Sequence, residues 1–163
     1  DFKEAAKWYR LAADQGNARG QFSLGVMYAA GEGVPKSEEE AFNWTRLAAQ
    51  QRHAQAQNLV GEMYNKGQGV AADHAESFKW VRLAAVQGLA QAQVSLGFKY
   101  EFGNGIGQDH VRAHMWVSLG AANGAPDMQV SLREIESEMT PEQIAQAKAL
   151  ATKCKASNYK DCG

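Results

Sequence analysis

The sequence predicts an all-α fold, an α/α superhelical solenoid of 36-residue helical-pair repeats closed by a C-terminal capping helix. Three observations predict it. Trp8, Trp44, Trp80 and Trp116 are each separated by 36 residues. Other residue types recur in register with them: Leu11, Leu47, Leu83 and Leu119; Gln21, Gln57, Gln93 and Gln129; Gly25, Gly61 and Gly97; Tyr28, Tyr64 and Tyr100. Each complete block also closes on a Gly-x-Gly-apolar turn, at Gly31/Gly33/Val34, Gly67/Gly69/Val70 and Gly103/Gly105/Ile106. A fixed period carrying this many residue types is the mark of one supersecondary unit stacked on copies of itself.

Each block reads as two helices. In the second copy the first helix is predicted over about 38–50, with Ala41, Trp44, Leu47 and Ala48 on one face at helical spacing. Ser37-x-x-Glu40 before it has the form of a capping box, repeated as Asp73-x-x-Glu76. Gly16, Gly88 and Gly124 stand where a left-handed helix terminus is expected, and Arg52 replaces them in the second copy, which predicts a strained or differently shaped turn. The second helix is predicted over about 54–66, with Ala56, Leu59, Val60, Met63 and Tyr64 on its apolar face. A mid-helix glycine costs about 1 kcal/mol against alanine. Gly25, Gly61 and Gly97 therefore imply that a neighbouring helix comes close to the backbone there. One helical pair cannot bury its apolar face alone, whereas stacked pairs share a continuous core.

The fourth copy decays. Stepping by 36 from Gly97, Tyr100 and Gly103 reaches Arg133, Glu136 and Met139. Thr140-Pro141-Glu142-Gln143 then starts a last helix, with Thr140 as N-cap, Pro141 in the first turn, and Ile144, Ala147, Ala151 and Cys154 as its apolar stripe. The chain is thus read as one solenoid domain over 1–163, with repeats at about 1–36, 37–72 and 73–108, a degenerate copy at 109–139, and a capping helix and tail at 140–163. It opens on Asp1 inside the first helix, so the natural chain is expected to extend upstream.

With 17 Lys+Arg against 18 Asp+Glu, no concentrated basic charge marks a nucleic-acid surface. No run of about 18 apolar residues is present to span a membrane.

The pattern Ala-x-x-Trp-x-x-x-Ala-Ala-x-x-Gly, followed by Ala-x-Ala-Gln-x-x-Leu-Gly-x-x-Tyr-x-x-Gly-x-Gly-Val, resembles the Sel-1-like repeat. Residues 77–106 show it well, although Ser77 replaces its first alanine. The resemblance covers nearly the whole chain. It implies a superhelix related to tetratricopeptide repeats and a role as adaptor or scaffold. Bacterial members act in signalling, envelope assembly and host interaction, and eukaryotic members in protein quality control. The family is often exported, which together with an even pair near the chain end implies a Cys154–Cys162 disulfide pinning the tail to the last helix, and a periplasmic or secreted location. Two free thiols in a cytoplasmic protein are the alternative.

Catalytic and metal constellations are weak. His110 and His114 share an i, i+4 spacing but lack the glutamate of a metalloprotease helix, and the reading is a surface pair with no metal, Asp109 serving as an N-cap. His53 and His74 fall at turns. Ser157-x-x-Lys160 has the spacing of penicillin-recognising enzymes, and some cysteine-rich relatives have been described as β-lactamases. Here the segment lies in a tail between two cysteines, so a β-lactamase-like hydrolase is only a remote alternative. Asn43-Trp44-Thr45 fits a glycosylation sequon but lies inside a helix. The repeating tryptophans are read as core, not as a ligand box. No cofactor and no metal is expected.

The binding surface is expected on the faces of the first helices away from the tryptophans, which line the concave side in helical-pair solenoids. Lys7, Arg10, Asn43, Arg46, Lys79 and Arg82 are the candidate partner-binding residues. Arg10, Arg46 and Arg82 form a ladder suited to acidic side chains or a peptide carboxylate, unless each pairs with a nearby carboxylate or packs its stem on a neighbour. The last row, Val111, Met115, Ser118 and Ala122, is expected to be covered by the capping helix or tail. The protein is therefore predicted to be a monomeric, non-catalytic scaffold binding a protein or peptide. A carbohydrate or cell-envelope polymer binder is the competing class, with Tyr9 and Tyr159 as stacking surfaces but no exposed aromatic row.

Overall fold

A computed structural model describes residues 1–162. Among the described residues there are nine helices and no strand: α1 (Phe2–Asp14), α2 (Ala18–Ala30), α3 (Glu38–Gln50), α4 (Ala54–Lys66), α5 (His74–Ala85), α6 (Ala90–Phe102), α7 (His110–Ala122), α8 (Gln129–Ser137) and α9 (Pro141–Ala156). They divide into two compact units, Asp1–Trp80 and Val81–Gly163, with the boundary inside α5.

Local chemistry sets the helix ends. Asn17, Ser37, His53, Asp109 and Thr140 each accept a backbone N–H from three residues on. Thr140 and Gln143 complete a reciprocal capping box. The boxes expected at Ser37 and Asp73 form only by half. Glu40 reaches forward to accept the Trp44 indole N–H at 3.0 Å, and Glu76 reaches forward to Lys79. After α3, Arg52 occupies the left-handed region at φ 66°, where the other copies place glycine. The turn therefore keeps its shape, at a cost of roughly 1–2 kcal/mol for a residue with a Cβ. The tyrosine register has a backbone role too. The carbonyls of Tyr28, Tyr64 and Tyr100 accept the N–H of Ser37, Asp73 and Asp109 at 3.0, 2.9 and 2.9 Å, closing each Gly-x-Gly loop.

In the first unit α2 packs on both α1 and α3, and α3 packs on α4. Its core is Ala41, Phe42, Ala48, Ala49, Ala56, Val60 and Met63, with Phe22, Tyr28, Leu59, Tyr64 and Trp80 partly buried against it. The approach of α2 to α3 is closest at Gly25, where a Cβ would stand 3.1 Å from both the Ala41 carbonyl oxygen and the Thr45 nitrogen. In the second unit α6 packs on α7, and α8 and α9 pack on α7. Here the close approach is mutual: a Cβ on Gly97 would lie 2.9 Å from the Ala113 oxygen, and one on Gly120 2.9 Å from the Ala90 oxygen.

The tryptophan and leucine register does not form the core. Trp8 is 64 % exposed, Leu11 52 %, Leu47 39 % and Leu83 47 %, and only Trp116 (3 %) and Leu119 are buried. Trp44 and Trp80 are half-buried. Where helix backbones come this close, glycine faces residues no larger than threonine or valine, Thr45, Val117 and Val94, and the tryptophans and leucines of the first three copies lie outside the contact. Trp116 is buried because α7 is packed by α6, α8 and α9 together.

Buried glutamines join the helices. The side-chain amides of Gln21, Gln57 and Gln93 donate to the carbonyls of Ala13, Ala49 and Ala85 at 3.3, 3.1 and 3.1 Å. The Gln21 oxygen accepts from Gln51 at 2.7 Å, and Gln51 also reaches the Gly16 carbonyl. In the second unit the shorter Asn123 donates to Gln93 and to the Tyr159 hydroxyl, both at 2.7 Å. The tail holds that hydroxyl in place. Cys154 and Cys162 are disulfide-bonded, Lys153 pairs with Asp161 at 2.7 Å, and Ser157 accepts the Asp161 N–H. In the last row Met115 is buried and Val111 and Ser118 half-buried, as expected under α9, but Ala122 is exposed.

Gly97→Ala is expected to destabilise the protein by about 1–3 kcal/mol through overpacking against the α7 backbone, read as a lowered urea midpoint with circular dichroism still helical. Reducing the Cys154–Cys162 bond with a dithiol is expected to lower stability by less than about 3 kcal/mol, since the closed loop is short. Paired urea titrations with and without reductant check it.

Candidate partner-binding face

The six candidate residues occupy solvent-facing positions on α1, α3 and α5, and all but the half-buried Arg10 are exposed. Lys7 pairs with Glu4 at 3.3 Å and Lys79 with Glu76, one turn earlier in each helix. The Glu76 hydrogen bond and charge raise the Lys79 pKa. Both lysines are therefore locally paired, in contacts that contribute little on an exposed surface.

The arginines behave differently. Among the described residues, none of Arg10, Arg46 and Arg82 forms an ion pair. Arg10 donates to the Tyr28 hydroxyl, and its guanidinium lies 5.7 Å from the Tyr28 ring centre and 5.1 Å from that of Trp44. It thereby ties α1 to α2 and α3. Arg46 lies 5.9 Å from the Phe42 ring on its own helix. Within the first unit, then, the structure joins Arg10 to α3 through Trp44. Arg82 stands at the matching register position in the second unit. Sequence reasoning missed the leucines beside the arginines. Leu11, Leu47 and Leu83 are exposed, and each follows its arginine directly. It also missed the exposure of Phe2 and Trp8 on α1, where Tyr9 is exposed as expected. No sequence signal separates these from core positions, because they share the helical spacing of the alanines.

The same geometry can be compared with known proteins. The Sel1 repeat family profile matches residues 1–17, 18–53, 54–89 and 90–124. The chain belongs to the Sel1 repeat family. A Sel1 repeat protein from Oxalobacter formigenes is 33% identical with a TM-score of 0.71, covering 96% of this chain and 57% of that one. The protein c5321, a protective antigen present in uropathogenic Escherichia coli strains displaying an SLR fold, is 28% identical with a TM-score of 0.64, covering 95% of this chain and 42% of that one. This chain thus spans about half the length of these two proteins. No curated protein matches it. Sel1 repeats generally serve protein interactions, and the all-α helical-pair fold agrees with that membership.

The remaining chemistry of the Sel1 array is structural in its contacts. His110 and His114 are not a surface pair. His110 bonds Glu101 at 3.0 Å, while His114, 2 % exposed, bonds Glu136 of α8 at 2.9 Å and Ser118 at 3.3 Å. The α8 and α9 helices bury His114, and the Ser118–His114–Glu136 chain ties α8 to α7. His53 uses its Nδ1 to accept the Ala56 N–H and stacks on Phe22. Burial, then the Arg19 charge, lowers its pKa, which favours the neutral ring that this acceptor role needs. Ser157 ends α9 and donates to the Cys154 carbonyl, so Ser157-x-x-Lys160 lacks the helix start that penicillin-recognising chemistry uses. In the Asn43-Trp44-Thr45 sequon Asn43 is exposed, but Thr45 is fully buried inside α3. Among the described residues no group of three or more His, Cys, Asp and Glu could hold a metal ion, and no helix is long and apolar enough to cross a membrane.

The His114 hydrogen bond, with smaller help from its charge and from Lys148, lowers the Glu136 pKa. A carboxylate lowered on folding stabilises the native state above its unfolded value, near about pH 4.3, and loses that contribution as pH falls through the native value. Glu136→Gln is therefore expected to show a smaller stability loss than the wild type between pH 5 and pH 3, read from urea midpoints at both.

Proposed function

We propose that this Sel1 repeat protein is a non-catalytic interaction scaffold that binds a protein or peptide through the exposed faces of its first helices. One observation carries the reading. Among the described residues Arg10, Arg46 and Arg82 form no ion pair, yet each precedes an exposed leucine. Lys7, Lys79 and Arg112, by contrast, each pair with a carboxylate one turn away. Arginine beside an apolar side chain, repeated on successive first helices, offers both anchoring and charge selection to an incoming chain. Lys7, Asn43 and Lys79 flank the arginines on the same helices and form the polar rim of the site. The disulfide supports an oxidising location, periplasmic or secreted, and the likeness to an Escherichia coli antigen agrees with export. The scaffold acts as a monomer.

Once a partner is isolated by cross-linking in the source cell, Arg46→Glu and Arg82→Glu are each expected to weaken its binding about tenfold or more by calorimetry, with helicity unchanged. Unaltered affinity in both variants would remove this face from the site. Retention on a glycan array by the same variants, with no peptide bound, would favour the carbohydrate reading instead.

A further inference from the structure

We infer that Arg10 is a pre-formed receptor for a side-chain carboxylate of an extended acidic peptide, with the neighbouring apolar side chain of that peptide seated on Leu11 and Leu47. The inference rests on the partner-binding reading above and assigns that face its ligand chemistry.

Arg10 differs from the other two arginines. Its guanidinium lies against two aromatic rings brought from different helices, Tyr28 of α2 and Trp44 of α3, and the Tyr28 hydroxyl accepts one of its N–H groups. Arg46 has one ring from its own helix, and Arg82 lies over none. Two rings and one hydroxyl thus hold Arg10, and the side chain is half-buried. A guanidinium has five donors in a rigid fork. The aromatic contacts and the single hydroxyl leave most of them unused, and no carboxylate among the described residues pairs with them.

Charge complementarity then selects the occupant. A fork held in place loses little further freedom on binding, which favours a planar, bidentate carboxylate over a lone hydroxyl or amide. The adjacent surface is apolar. Leu11 follows Arg10 on α1, and Leu47 lies one turn beyond Trp44 on α3, both exposed. An extended chain places successive side chains on opposite faces, so residues two apart share one face and lie about 6–7 Å apart along it. An extended peptide with a carboxylate and an apolar side chain two residues apart therefore carries both groups that Arg10 and the exposed leucines of these helices can take. Glu40 is nearby but is committed to the Trp44 indole, which also keeps the ring oriented under Arg10.

The test uses the full chain and two capped six-residue peptides, one with alternating phases of leucine and glutamate two apart and one with glutamine in place of glutamate. Calorimetry and the indole N–H resonance of Trp44, assigned with Trp44→Phe, give the readouts. The glutamate peptide is expected to bind at least about tenfold more tightly than the glutamine peptide, to shift the Trp44 resonance, and to lose most of its advantage in Arg10→Gln. Arg10→Lys keeps the charge without the fork and is expected to fall about as far. Equal binding of both peptides, wild-type affinity in Arg10→Lys and Arg10→Gln, or binding of a sulfated oligosaccharide in preference to the glutamate peptide would each overturn the inference. Glutamate-peptide binding that ignores Arg10 but is lost in Arg46→Glu would overturn it while leaving the wider scaffold reading intact.

Discussion

Where α2 meets α3, and where α6 meets α7, two helix backbones lie so close that a single added carbon has no room. Gly25, Gly97 and Gly120 mark these places, with neighbouring carbonyls about 3 Å from where a Cβ would be. A helical glycine sacrifices about 1 kcal/mol of intrinsic stability against alanine. That loss is offset because the approach lets whole faces of alanine and valine pack at crystal-like density. The rest of the arrangement depends on it. Ala41, Ala48, Ala49 and Ala56 are buried in the core beside Phe42, Val60 and Met63, while Trp8, Leu11, Leu47 and Leu83 of the same repeat stay exposed.

Close packing leaves polar backbone groups at the helix ends that must be satisfied without water. The buried glutamines meet this need in the same way in each copy, reaching the carbonyl of an alanine eight residues back. The second amide that completes the arrangement differs between copies. Gln51 is long enough to reach both Gln21 and Gly16, whereas Asn123 reaches Gln93 and needs Tyr159 as its other partner. The disulfide-held tail thus supplies the hydroxyl that Asn123 uses where Gln51 uses the Gly16 carbonyl. Its role concerns the interior of that unit as much as the chain end.

The outward displacement of large residues also shapes the exposed face of the first helices. Because Trp44 lies at the margin and not in the core, its ring is free to carry Arg10, and because Leu11 and Leu47 lie outside the alanine contact, they face solvent. The alanine stripe determines how pairs stack, and the arginines and leucines of the same helices stay at solvent-facing positions. The titratable groups with the most defined partners, His114 with Glu136 and His110 with Glu101, lie elsewhere and bind helices together.

The sequence by itself determined the period, the helices over 38–50 and 54–66, the Thr140 cap, and the meaning of the mid-helix glycines, since each rests on local spacing or on a backbone property of one residue type. It also placed Arg10, Arg46 and Arg82 on a solvent-facing stripe. Tertiary structure alone decided which members of the repeat are buried. Helical periodicity places Trp44, Leu47 and Ala48 on neighbouring positions of one face, and only the distance between packed helices separates the buried alanine from the exposed leucine. Tertiary structure alone also decided where long side chains find their partners. Glu40 turned to Trp44 instead of back to its cap, His114 left His110 for Glu136, and Arg10 settled between Tyr28 and Trp44. The Glu40 choice is between two contacts of one helix end, which spacing leaves equally open, whereas those of His114 and Arg10 reach across helices, which spacing along the chain does not contain.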